Sequence, residues 1–412
     1  MIEQFTLPNG LRVIAEQLPH LRSVSIGVWV RAGSILESPQ ENGLSHFIEH
    51  MAFKGTARRS AKQIAQEMDA VGGYLNAATS KLSTTYYAKV IDEDLPLAAD
   101  ILADIVIHPA IDEKELNKER HVVLEEISMT DDSPEDVAYD LIAAAMFGAQ
   151  PLGQTILGPR QNIEACTRAD MLAFRARHYS PMNACVAVAG NFDLHHLQDV
   201  LTQHFGDWQG TAGELYPVNQ ANPSPATLTA DKDTEQAHLC LGYRGRELGS
   251  QDVYAMAVFN SVLGGGMSSR LFQRIREESA MAYSVYTAPA AYPHCGDFTV
   301  YAAVSPKNLK TVLGQIDEEI DLLLREGMSE EEFRMAKAQL KGGFILGQES
   351  AYNRMNGLGS NLALLNRHIP TEETIRRIEA VTREDAMRVA QETLRGPRSR
   401  AFVGKKIDKY LK

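Results

Sequence analysis

Residues 44–56 read Leu-Ser-His46-Phe-Ile-Glu49-His50-Met-Ala-Phe-Lys54-Gly-Thr, and the five from His46 to His50 carry the decisive signal. Histidine, two residues, glutamate, histidine is the inverted relative of the HExxH zinc helix. At 3.6 residues per turn, His50 lies about 40° around from His46 and one turn along, so both imidazoles can reach one ion. Glu49 lies about 60° to the other side of His46. A carboxylate there can serve a reacting water without being a ligand. With 12 His and 53 Asp plus Glu among 412 residues, chance supplies only ~0.04 such motifs. Buried helix histidines without a metal are the competing reading.

Catalytic zinc commonly takes three protein ligands and leaves one position open. A third must come from elsewhere, and the helical stretch 112–129 offers it. Glu119 and Glu126 are seven residues apart, within about 20° on one face; Glu125 and Glu113 point elsewhere. By itself, a glutamate in a run such as DEKELNKERHVVLEE is usually part of a solvated helix face.

Working outward, residues 3–31 carry strand signals, with two short strands joined at Pro8-Asn9-Gly10. Val24, Ile26, Val28 and Val30 alternate as in a half-buried strand. A helix is expected from about Gly43 to Phe53, and Ser60-Ala-Lys-Gln63 has the form of a capping box opening a second. Further helices are expected near 97–107, 112–129 and 134–146, and strands over 74–79, 83–91 and 184–190.

Gly210 to Pro225 resists regular structure, with two glycines and three prolines. We place a linker at 210–225, between domains 1–209 and 226–412. The two sides echo one another. Ala70-Val-Gly-Gly-Tyr74 and the strands ending Tyr86-Tyr87-Ala88-Lys89-Val90 answer Ala280-Met-Ala-Tyr283 and those ending Val300-Tyr301-Ala302-Ala303-Val304. Thr167-Arg-Ala-Asp170 answers Thr382-Arg-Glu-Asp385. Offsets of 209–217 residues recur throughout, the mark of a duplicated αβ unit.

Composition sets the outer bounds. A chain of 412 residues with 44% hydrophobic and 23% charged content reads as globular with two cores. No apolar run approaches the roughly 18 residues of a membrane helix, and the start shows no basic segment followed by an apolar one, so a cytoplasmic address is expected and no membrane partner. Net charge of -12 disfavours nucleic acid. Four scattered cysteines, Cys166, Cys185, Cys240 and Cys295, read as buried or idle thiols. Gly264-Gly-Gly266 lacks the Lys-Ser/Thr of a phosphate loop and reads as a turn.

HFIEHMAFKGT followed by ELNKERHVVLEEI resembles the pitrilysin family of zinc metallopeptidases, which includes insulin-degrading enzyme and the mitochondrial processing peptidase. The compact form of the processing peptidase β subunit and its bacterial relatives fits best, over essentially the whole chain. The resemblance implies an α+β fold of two homologous αβ halves, each a mainly antiparallel sheet packed with helices, forming a two-lobed clamshell. It implies one Zn2+ per chain held by His46, His50 and Glu126, the last standing 76 positions after His50. Glu49 would be the general base and Glu119 a carboxylate orienting a ligand imidazole. Arg276 and Tyr283, seven apart, would hydrogen-bond the substrate carbonyl as it becomes an oxyanion.

The expected activity is endopeptidase cleavage of unfolded or short peptides inside a two-lobed chamber, the substrate adding as a strand within 74–79 or 83–90. Family habit implies a homodimer. A non-catalytic assembly subunit and a zinc hydrolase acting on another bond are the rival readings. The duplication supplies a control: Met256, Phe259 and Asn260 stand opposite His46, Glu49 and His50, and Ala336 and Gly343 opposite Glu119 and Glu126. The second copy thus lacks every metal residue. One departure is Leu82, near where family members commonly carry a Glu.

Overall fold

Leu7 to Gly10 turn the chain back after β1 (Ile2–Thr6), and β2 (Arg12–Gln17) pairs antiparallel with it, Thr6 opposite Arg12. Gly10 takes φ 90°, a conformation open to a residue without a Cβ. The computed structural model describes residues 1–211 and 223–411, so most of the linker expected at 210–225 lies outside the described residues. Among the described residues, no helix is long and apolar enough to cross a membrane, and the four cysteines are buried and free.

β3 (Ser23–Val30), β4 (Tyr74–Thr79), β5 (Thr84–Ile91) and β6 (Ala184–Gly190) complete a six-stranded sheet in the order β1-β2-β6-β3-β5-β4. The strand pairings are antiparallel except β2 with β6. The second sheet contains β7 (Thr227–Asp231), β8 (Ala237–Arg244), β9 (Ala282–Tyr292), β10 (Cys295–Val304) and β11 (Ser399–Gly404), ordered β7-β11-β8-β10-β9. Here β7 with β11 is the parallel pair. Without β1, the first order maps strand for strand onto the second, parallel pair included. Thr167 and Thr382 both form capping boxes, with Asp170 and Asp385. The fold is α+β and duplicated.

α1 (Leu44–Ala52), α2 (Ala61–Ala70), α3 (Leu95–Ile107), α4 (Glu113–Asp132) and α5 (Pro134–Phe147) stand where the sequence places helices. Ser60 and Gln63 make the capping box that opens α2. Two findings differ from the sequence reading. β3 is buried on both faces, not one. A helix from far along the chain, Ala351–Leu365, covers the second face, and its Met355, Leu358 and Leu362 pack on Trp29 and Ile14. A Cβ on Gly359 would stand 2.4 Å from the Trp29 ring. Conversely, α5 packs on β8 and β11, where Ser399 Oγ donates to the Ala145 carbonyl at 3.0 Å.

The compact units are therefore not contiguous stretches: Ser128–Gln154 belongs to the second unit and Ile345–Ile369 to the first. A division into 1–209 and 226–412 does not contain this exchange of helices. Helical periodicity states that a face is buried, not which sheet buries it.

Candidate metal centre

α1 starts at Gly43, whose φ of 101° suits a residue with no Cβ. The exposed amides of its first turn are met by a buried carboxylate. Glu37 accepts from Gly43 N at 2.9 Å, Ser45 N at 2.6 Å and Asn42 Nδ2 at 3.0 Å. Anionic charge at a helix N-terminus satisfies orphan N–H groups and the helix dipole together. Burial pushes the Glu37 carboxyl up from its usual range, against these hydrogen bonds. Nothing in the local pattern reveals Glu37 as the cap of the histidine helix. It stands seven residues before Leu44.

Inward, α1 buries Phe47, Ile48 and Met51 in the first core. This leaves His46, Glu49 and His50 along one flank. α4 buries Leu116, Val123 and Ile127, and the same rotation carries Glu119 and Glu126 along the edge of that stripe, while Glu113 and Glu125 are exposed. Arg120 fastens α4 to the chain after the next turns, donating to the Cys166 carbonyl at 2.8 Å and to that of Ile163.

His46, His50 and Glu126 converge. One ligand atom from each lies within 4.8 Å of the others, and no other such group occurs among the described residues. His46 Nε2 is 3.5 Å and His50 Nε2 3.3 Å from the Glu126 carboxylate. These separations are long for hydrogen bonds, which cluster at 2.7–3.2 Å. They match the ~3.4 Å edge of a tetrahedron whose donors stand about 2.0–2.1 Å from a zinc ion. Two imidazoles and a carboxylate are also the donor chemistry of a catalytic zinc site. The residues present fit the metal.

On its other side His50 Nδ1 lies 2.9 Å from Glu119 Oε1, and Lys54 Nζ holds the second Glu119 oxygen at 2.6 Å. Glu119 is 5% exposed. Burial raises its carboxyl, but the His50 and Lys54 contacts outweigh that and hold it below the usual range. Lys54 lies four residues after His50, and nothing in its spacing points to Glu119 on another helix. Glu126 is held low by His46 and His50. Burial opposes charge on His50, yet the Glu119 hydrogen bond and the nearby negative charge of Glu126 raise its pKa to about 9.

A consequence follows for the metal-free protein. Its His50 keeps a proton at pH 7.5, and a metal ligand must be deprotonated. Zinc uptake should therefore release protons, and apparent affinity should climb as pH rises toward about 9. Titration calorimetry in buffers of different ionisation enthalpy checks this. Identical heats in all buffers would contradict it.

Glu49 stands on the same flank but outside the ligand group. Its Oε2 accepts from Thr79 Oγ1 at 2.5 Å, at the end of β4. Leu82 is buried in the β4–β5 connection. Arg276 and Tyr283 belong to the second unit. Arg276 lies in a π-helical stretch, Phe272–Glu278, its guanidinium 4.7 Å from the Phe272 ring centre and 4.9 Å from that of Tyr283. Ala280, between them, adopts φ 49°, and Tyr283 is 74% exposed. The positions opposite the metal residues are core or structural: Met256 and Phe259 are buried, and Asn260 Oδ1 accepts from Thr287 at 2.7 Å.

Comparison with known proteins agrees with this division. A family model described as insulinase (peptidase family M16) matches residues 12–160, and one described as the peptidase M16 inactive domain matches residues 165–340. An uncharacterized zinc protease of Bacillus subtilis, YmxG, is 41% identical over 93% of each chain. Another from Mycobacterium tuberculosis is 41% identical over 97% of this chain and 92% of its own. The crystal structure of a protease from Helicobacter pylori superposes with a TM-score of 0.92 at 23% identity, covering 98% of this chain and 99% of that one. With the matched families spanning both halves and the relatives nearly the full length, the chain belongs to peptidase family M16, the insulinase or pitrilysin family.

Proposed function

We propose that this protein is a zinc-dependent endopeptidase acting on unfolded or short peptides. The observation that carries the reading is the ligand group His46, His50 and Glu126 with a non-ligand carboxylate, Glu49, one residue from His50 on the same helix. Zinc held by the three would supply Lewis acidity to the reacting carbonyl and acidify a water. Glu49 takes the water proton at Oε1, the oxygen that Thr79 leaves free, and returns it to the leaving amine. Glu119 holds His50 Nδ1 and so turns Nε2 toward the metal position, a bond that fixes ring orientation and strengthens the donor.

The substrate backbone is proposed to pair with β4. Of the two stretches open to this from sequence, β5 lies between β3 and β4, whereas β4 is the sheet edge and ends beside Glu49. Edge pairing needs an extended chain with free N–H and C=O groups, which short and unfolded peptides offer. Arg276 and Tyr283 are the proposed donors to the developing oxyanion, and one zinc per chain in a homodimer is the proposed assembly.

The test is digestion of one sequence presented as a free peptide and inside a stably folded domain. Cleavage of the free form alone is expected. Arg276→Ala and Tyr283→Phe should each lower kcat on it by about 100- to 1,000-fold, the range for losing one oxyanion donor, with zinc content unchanged. Equal cleavage of both forms, or full kcat in both variants, would contradict the proposal.

A further inference from the structure

The geometry points to Thr79 as the residue that positions the Glu49 carboxylate, an inference that rests on the reading of Glu49 as the base. Glu49 Oε2 has one hydrogen-bond partner among the described residues, the Thr79 hydroxyl at 2.5 Å. That is the short range of an O–H donor to an ionised oxygen. A hydroxyl has a single proton to give, and the neighbouring groups direct this one. Thr84 Oγ1, 3.4 Å from Thr79 Oγ1, spends its own proton on the Ala32 carbonyl at 2.8 Å. Thr84 could therefore only accept from Thr79, and at 3.4 Å it competes poorly with the Glu49 carboxylate at 2.5 Å, which takes the Thr79 proton.

Beneath this pair the packing is dense. Thr84 is fully buried, and Tyr86 and Tyr179 join their hydroxyls at 3.0 Å in the same wall. Below them lies Arg175, 9% exposed, its guanidinium 4.4 Å from the Tyr179 ring centre and one of its amino groups donating to the Val106 carbonyl at 2.6 Å. Thr79 therefore stands on a rigid support. A Glu side chain on a helix flank otherwise keeps its terminal torsion broad. The Thr79 bond removes that freedom by fixing Oε2 and leaves Oε1 as the oxygen Thr79 does not engage.

Position on the strand adds a second element. Thr79 pairs with Thr84 at the last step of the β4–β5 ladder. A peptide drawn onto β4 therefore adds to the same strand that fixes the base, and binding and proton transfer share one support.

The experiment compares Thr79→Val with Thr79→Ser in the zinc-loaded, full-length protein, using a free unstructured peptide. Valine keeps the branched shape and removes the donor; serine keeps the donor. Thr79→Val should lose about 10- to 100-fold in kcat, the worth of a hydrogen bond to a charged group, with KM and zinc content unchanged. Thr79→Ser should recover most of that loss. Full kcat in Thr79→Val, or equal losses in both variants, would overturn the positioning role. So would a loss confined to KM. Glu49→Gln run alongside separates the two ideas: full turnover there removes the base assignment and this proposal with it. An inactive Glu49→Gln beside a fully active Thr79→Val removes the positioning role alone.

Discussion

Glu49→Gln should keep its zinc and its fold while losing about 100- to 10,000-fold in turnover, the usual contribution of a positioned proton acceptor. The substitution is nearly isosteric. The amide oxygen still accepts from Thr79, and Glu49 lies outside the group formed by His46, His50 and Glu126. Only the capacity to take a proton is removed. Metal analysis and kcat on the same preparation separate the possibilities. A variant that arrives without zinc would make Glu49 a ligand, and one with undiminished kcat would leave the base to another group.

Removal of a ligand should act differently. His50→Ala and Glu126→Gln should each lower zinc content from one per chain to a small fraction, with turnover falling in proportion. Three donors would hold the ion, and each variant deletes one or weakens its charge. The loss in His50→Ala has a second part, because Glu119 then has no imidazole to orient and keeps only Lys54. Full zinc in Glu126→Gln would show that another carboxylate completes the set. Glu125, the next carboxylate on α4, is the first to examine.

Much of this arrangement is local and so legible in sequence. The spacing of His46, Glu49 and His50 puts them on one helix flank, and Glu119 and Glu126 stand two turns apart on another. The Ser60 box, the Thr167 and Thr382 boxes and the Pro8-Asn9-Gly10 turn are likewise written in a few adjacent residues. The duplication was visible because paired strands kept similar residues at nearly constant offsets.

What was not legible depends on partners distant in sequence. β3 reads as half-buried because its alternation is real, yet helix Ala351–Leu365 covers the other face from more than 300 residues away. The reciprocal placement of α5 on the second sheet leaves no trace in its own periodicity. Glu37 caps α1 through a turn, not through an N-cap pattern. Sequence alone does not rank β4 and β5 as substrate edges; the strand order does, and it also brings Thr79 to Glu49. Lys54 lay in plain view, but its partner Glu119 is on another helix.

The proposed peptidase activity depends on one zinc held by His46, His50 and Glu126. The most direct measurement strips the protein of metal and returns zinc in steps, following bound zinc and cleavage of an unstructured peptide together. Activity should be absent at zero occupancy, rise linearly with bound zinc and level off at one ion per chain. Cleavage that persists without metal, or none at full occupancy, would contradict the account.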